Sequence, residues 1–368
     1  MVNDNKLNKI IYNINRLSED LNMENINIME VCGTHTHSIA KYGIKSLVSK
    51  KINLISGPGC PVCVTHQSYI DAALELADRG VIIVTFGDLV RVNGRKENLL
   101  SKKAKGRDIR IVYSVYDVID VAIENKERKV AFLGVGFETT APIIAAVIKQ
   151  TYDMGIKNLY FLTSIKIMPP ILEKILNVKE KKINGIICPG TVAVIKGGES
   201  FRFVYEKYGV PAVVCGFEAE DILGGIYFLI KDIKSKQEGI EQCGFENLYR
   251  RCVSNSGNKI AKQLIKEIFK QDDVLWRGIG NVSKSALVIK DKYSELDAAK
   301  IFNLYRYFNN EKEEYLQEDK GCKCSEVLLG NISPKECSRF GKVCTPRTPC
   351  GPCMVSSEGA CSAYYKYS

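Results

Sequence analysis

Eight short β-branched or aliphatic segments recur along the first two-thirds of the chain, each followed by a stretch long enough for a helix. They are Ile26–Val31, Ile52–Ser56, Val81–Phe86, Ile109–Ser114, Val130–Val135, Leu159–Thr163, Gly185–Cys188 and Ala212–Cys215. Strands alternating with helical stretches indicate βαβ units, and near-continuous apolar strands suit parallel sheets covered on both faces. The fold class is therefore α/β. One eight-stranded sheet is possible, but two four-stranded halves suit the length better, with a break in the charged segment Asn125–Lys129. After about Ile240 the pattern turns helical (Asn258–Lys270) and then rich in glycine, proline and cysteine. The expectation is two Rossmann-like parallel-sheet domains, residues 1–125 and 126–240, facing a central cleft, and a third, helical and cysteine-rich domain over 241–368.

A chain of 368 residues, 45% hydrophobic and 26% charged, can build a sizeable core without disulfides. Met1 to Asn27 lacks an apolar leader, and the longest apolar run, Ala141–Ile148, is too short to span a bilayer. A cytoplasmic protein with no membrane association is expected, and in that reducing compartment many cysteines mean metal or catalysis. The net charge of +10 comes from scattered lysines with short runs such as Lys179–Lys182, so it reads as a solvated face and not as a nucleic-acid surface. Gly134-Val135-Gly136 follows a strand, but Thr139 replaces the third glycine of a dinucleotide fingerprint.

Unusual residues cluster at strand ends, where open α/β sheets bind ligands. Cys32 follows the first strand, Cys60 and Cys63 the second, Asp88 and Arg91 the third, Glu138 the fifth, Pro189-Gly190 the seventh and Cys215 the eighth. A cysteine in a turn ahead of a helix gains thiolate character from free backbone N–H groups and from an imidazolium such as His35, which suits a nucleophile or a soft-metal ligand. In Gly57-Pro58-Gly59-Cys60-Pro61-Val62-Cys63 a tight turn holds two sulfurs close enough to close a disulfide or to share a metal. His37 reads equally as a ligand or as a satisfied cap or core histidine, and His66 as the latter.

Of the fourteen cysteines, seven crowd the end of the chain: Cys322, Cys324, Cys337, Cys344, Cys350, Cys353 and Cys361. Four thiolates complete a [4Fe–4S] site, zinc accepts four as well, and the spacing matches neither the short zinc-ribbon pairs nor the common ferredoxin run.

Several strings in order resemble one family, the HypD hydrogenase maturation proteins. They are Met29-Glu30-Val31-Cys32-Gly33-Thr34-His35-Thr36-His37, the Gly57–Cys63 turn, Phe86-Gly87-Asp88-Leu89-Val90-Arg91-Val92, Gly134–Pro142, Trp276-Arg277-Gly278 and the tail from Gly321 to Tyr367. The resemblance implies an iron–sulfur scaffold with redox-active thiols, not an enzyme with free substrate turnover. On it, with a HypC-like partner, an Fe(CN)2CO unit is assembled, cyanide coming from a HypE-like donor, and passed to the large subunit of [NiFe]-hydrogenase. It further implies that Cys32 holds the transient Fe(II) carrying CN and CO, with His35 beside it as ligand or proton handler, and that Cys60 and Cys63 are a redox pair. Cys322, Cys337, Cys344 and Cys361 would ligate a [4Fe–4S] cluster, Cys324 and Cys353 would form a second dithiol, and Cys350 would be incidental. Glu138, Asp88 and Arg91 would face the cleft.

The chain departs from the family pattern at Ile165, where a histidine is usual nearby, at Thr191, where histidine is usual, and at Ala219, where the usual Pro-Leu is missing. Two readings of other kinds stay open: a stand-alone thiol-disulfide oxidoreductase, or a divergent paralogue assembling another metal site. An iron–sulfur sensor or nucleic-acid-binding protein, which would exploit the basic charge, also stays in view; absence of salt-dependent affinity for DNA or RNA would dismiss it.

Overall fold

The computed structural model describes residues 4–178, 183–308 and 321–367. The basic run Lys179–Lys182 lies outside them. All eight expected strands form: β1 Ile26–Glu30, β2 Ile52–Ser56, β3 Ile82–Thr85, β4 Ile109–Ile111, β5 Val130–Gly136, β6 Leu159–Lys166, β7 Gly185–Cys188 and β8 Ala212–Val214. Every residue of β5 is buried, as in a strand with helices on both sides. Three further strands follow, β9 Phe245–Asn247, β10 Phe269–Trp276 and β11 Gly280–Ile289.

The strands make two sheets, but the chain does not divide between them at residue 125. One sheet runs β2-β1-β7-β8-β9 and the other β10-β11-β6-β5-β3-β4. The break expected at Asn125–Lys129 is instead a connection inside one sheet, since β3 pairs with both β4 and β5. The chain starts in the first sheet, crosses to the second at β3, returns at β7 and crosses again at β10. Apolar periodicity marks a segment as a strand but does not say which strand it pairs with, so chain order was a poor guide to partnership.

The hairpin β10–β11 corrects the expectation of a purely helical start to the last third. β10 reads Phe-Lys-Gln-Asp-Asp-Val-Leu-Trp, buried at Phe269 and Trp276 with an exposed charged middle, so it shows no regular alternation. Its pairing with β11 is antiparallel, with an irregularity between Asp272 and Val274. The Asp273 carboxylate satisfies it by accepting from the Ser283 hydroxyl and from the Lys284 amide, whose residue has φ 51°.

In each sheet the strand order reverses direction at one point, and these points place the site. β1 lies between β2 and β7, so the segments after β1 and β7 open the crevice of the first sheet. β3 and β5 hold the equivalent place in the second. One core cluster joins both sheets to the tail, packing Cys60, Cys63, Phe137 and Trp276 with Val327, Cys353 and Met354.

Candidate functional site

Cys32 follows β1 and N-caps the helix Gly33–Lys41, with extended backbone (φ −144°, ψ 121°). Its amide donates to a carboxylate oxygen of Glu30 at 2.9 Å, and the other Glu30 oxygen takes the Thr36 hydroxyl. Glu30 is itself 2% exposed, and burial raises its pKa against the pull of these donors. The Cys32 sulfur lies 3.9 Å from the Thr191 hydroxyl, so the residues after β1 and β7 do meet in the crevice. Burial pushes the Cys32 thiol up to about 11; the Thr34 and His35 amides pull it down, and the charges of Glu30 and Glu358 add to the rise. Loss of water here works against the thiolate character that a helix N-cap favours.

The Gly57–Cys63 turn lies directly on this backbone. The Gly33 amide donates to the Gly59 carbonyl at 3.1 Å and the Gly57 amide to the Glu30 carbonyl at 2.7 Å. A Cβ on Gly59 would stand 2.3 Å from the Cys32 nitrogen, so no larger residue fits there. Cys60 and Cys63 are joined as a disulfide, and Cys60 caps the helix Pro61–Val64 by accepting from the Cys63 amide at 3.1 Å.

His35, in the first turn of the helix that Cys32 caps, is fully buried. Its Nε2 lies 3.0 Å from the Gly216 carbonyl and 3.6 Å from the Cys215 sulfur, and its ring stacks at 4.6 Å on Phe217. Its Nδ1 has no hydrogen-bond partner among the described residues. Burial disfavours the imidazolium, but Cys215 and Glu30 outweigh it and its pKa is raised. Cys215 and Glu30 thus belong to this site; sequence places Cys215 among the strand-end residues, whereas Glu30 enters only within the family string. The available signal was a carboxylate inside an otherwise apolar buried strand at Glu30, and a second strand-end cysteine at 215.

In the tail all seven cysteines line one small cavity. The Cys324 and Cys353 sulfurs lie 2.6 Å apart, a spacing from which a disulfide closes with little movement. A Cβ on Gly351 would meet the Cys322 sulfur at 2.5 Å, so that glycine makes room for it. Burial and the neighbouring sulfurs raise the pKa of Cys322, to about 12, and that of Cys361. Cys350, expected to be incidental, sits in the same cavity with its amide donating to the Cys344 sulfur at 3.4 Å. Among the described residues no three His, Cys, Asp or Glu side chains converge on a point that one metal ion could occupy.

The two thiol groups meet although nearly the whole chain separates them. The helix Pro61–Val64 packs against the helix Pro352–Val355, and a Cβ on Gly33 would stand 2.5 Å from that of Glu358. Asp88 and Arg91, expected to face a cleft, hold the tail instead: Asp88 accepts from Ser356 at 2.9 Å, and Arg91 donates to the Pro346 and Val355 carbonyls. Strand-end position located these side chains, but it could not reveal that the tail occupies the space before them. Glu138 is 2% exposed; one carboxylate oxygen accepts from the Met168 amide and burial raises its pKa. His37 is paired with the Tyr367 hydroxyl at 3.0 Å, and His66 caps the helix Gln67–Asp78 by accepting from the Ser68 amide. Each ring thus has a partner of the kind a satisfied cap or core histidine requires.

No helix among the described residues is long and apolar enough to cross a membrane. Residues 5–368 match the HypD family model, described as the hydrogenase formation hypA family. The chain is 38% identical to a putative hydrogenase expression/formation protein of Methanocaldococcus jannaschii, over 100% of this chain and 98% of that one. It is 39% identical to the hydrogenase maturation factor HypD of Escherichia coli strain K12, over 93% and 89%. It is also 38% identical to the maturation factor HypD2 of Bradyrhizobium diazoefficiens, over 92% and 88%. Motifs, architecture and likeness along the whole chain agree: this protein belongs to the HypD family of hydrogenase maturation factors.

Proposed function

We propose that this chain is the cytoplasmic scaffold on which, with a HypC-like partner and cyanide from a HypE-like donor, the Fe(CN)2CO unit of [NiFe]-hydrogenase is put together. The observation that carries the reading is the contact between the Cys60–Cys63 helix and the Cys353 helix, which joins a disulfide beside Cys32 to a cavity of seven thiols. Cys32 is the soft anchor for the iron cargo, which displaces the thiol proton on binding. His35, its Nδ1 unpaired, is a second ligand or takes that proton. The Cys60–Cys63 disulfide accepts two electrons and two protons when it opens to a dithiol, and Cys324 with Cys353 is the neighbouring pair able to exchange with it.

The tail donors fit a resident [4Fe–4S] cluster held by Cys322, Cys337, Cys344 and Cys361. Such a cluster takes one thiolate at each iron, which suits sulfurs spread around a cavity, whereas zinc asks four donors to converge at about 2.3 Å. When bound it would supply single electrons beside the Cys324–Cys353 pair.

The test is complementation. A host lacking its own HypD, supplied with this gene, should regain hydrogenase activity, and the protein purified anaerobically should be brown with about four irons per chain. Full iron loading without restored activity would favour assembly of a different metal site. Stoichiometric zinc without iron would overturn the cluster.

A further inference from the structure

A second cavity, of about 570 Å³, opens beside β6 and the β10–β11 hairpin, and none of the thiols lines it. Its volume is that of a small-molecule site. Two features on its floor call for negative charge. Lys166, at the end of β6, is 1% exposed, and its ammonium donates to the Ser164 hydroxyl at 2.8 Å and lies 5.8 Å from the centre of the Trp276 ring. No described carboxylate forms an ion pair with it. Beside it stands the first turn of the twelve-residue helix Gln67–Asp78, through Ser68 and Tyr69. A buried ammonium without a counter-charge costs several kcal/mol, and a helix N-terminus adds positive potential at the same place.

The acids on the walls do not supply that charge, because they are engaged elsewhere. Asp291 pairs with Lys270, Asp273 closes the hairpin irregularity, Asp297 caps the helix Ala298–Ile301, and Asp272 accepts from the Asp273 amide. Apolar side chains, among them Leu287 and Phe308, complete the wall.

We propose that this cavity is a binding site for a small organic carboxylate, its head group against Lys166 and its apolar body along the hairpin. Burial alone lowers the Lys166 pKa, to about 7, and an anion beside it would restore the charged form. The site stands apart from the sulfur chemistry and does not depend on the function proposed above.

The probe is 4-(trifluoromethyl)benzoate, followed by fluorine NMR on the full chain, with the neutral 4-(trifluoromethyl)benzamide as its uncharged match. The benzoate is expected to bind at least tenfold more tightly than the amide. Lys166→Met should remove that preference and Lys166→Arg should keep most of it. Equal affinity for the two probes, no binding of either, or undiminished benzoate binding by Lys166→Met would each overturn the site. If the methionine variant does not fold, the comparison of the two probes on wild type and on Lys166→Arg still decides.

Discussion

At the scale of single residues, burial is the term that sets the chemistry of the titratable groups. Cys32 stands at a helix N-terminus, which on sequence grounds should favour a thiolate, yet desolvation leaves its pKa near 11. Alkylation of Cys32 by iodoacetamide should therefore be slow at pH 7 and keep accelerating beyond pH 9, as followed by peptide mass spectrometry. A plateau near pH 7 would mean an activated thiolate. His66 tests the same principle through stability. Burial first, then the charges of Arg277 and Lys166, lower its pKa from 6.5 to about 4. The unfolded state thus binds the proton that the folded state refuses, so the contribution of neutral His66 is complete above pH 6.5 and is lost as the pH falls toward 4. At its full extent this amounts to about 3 kcal/mol. His66→Asn keeps a capping side chain without the titration, and its denaturation midpoint should fall less steeply than that of wild type between pH 6.5 and 4. Parallel curves would contradict the assignment.

At the scale of elements, the strands were legible because buried parallel strands are written in β-branched runs, and all eight named segments form. The hairpin was not, because β10 takes its stability from pairing with β11 while its own middle is charged and exposed. The cysteine strings located the sulfur groups, but the meeting of Cys215 and Glu30 with His35 and the tail's contact with Asp88 and Arg91 depend on packing between distant segments, which no local pattern encodes. The tightest such packing is the Gly57–Cys63 turn on the Cys32 backbone. Gly59→Ala would force a Cβ to within 2.3 Å of the Cys32 nitrogen, against backbone that cannot yield cheaply. A loss of about 1–3 kcal/mol in denaturant unfolding is expected, with iron loading at Cys32 impaired even though no thiol has been removed. Wild-type stability in this variant would show that the two turns are less closely fitted than described.

At the scale of the molecule, the chain passes three times between its two sheets, and the tail then closes over the strand ends of both. This arrangement brings residues 32 and 358 together and makes the site a product of the whole chain. Arg91 is one fastener, through the Pro346 and Val355 carbonyls. Arg91→Ala should cost about 1.5–3 kcal/mol of local stability. It should also speed hydrogen exchange around residues 346–361 while leaving β5 protected; unchanged exchange there would remove Arg91 from that role. The central claim is that Cys32 anchors the iron cargo independently of the tail thiols. It is tested most directly by infrared absorption in the cyanide and carbonyl stretching region, on the complex with the HypC-like partner purified anaerobically. Cys32→Ala should abolish those bands while the iron of the tail stays at about four per chain. Undiminished cyanide and carbonyl bands in Cys32→Ala would contradict the account.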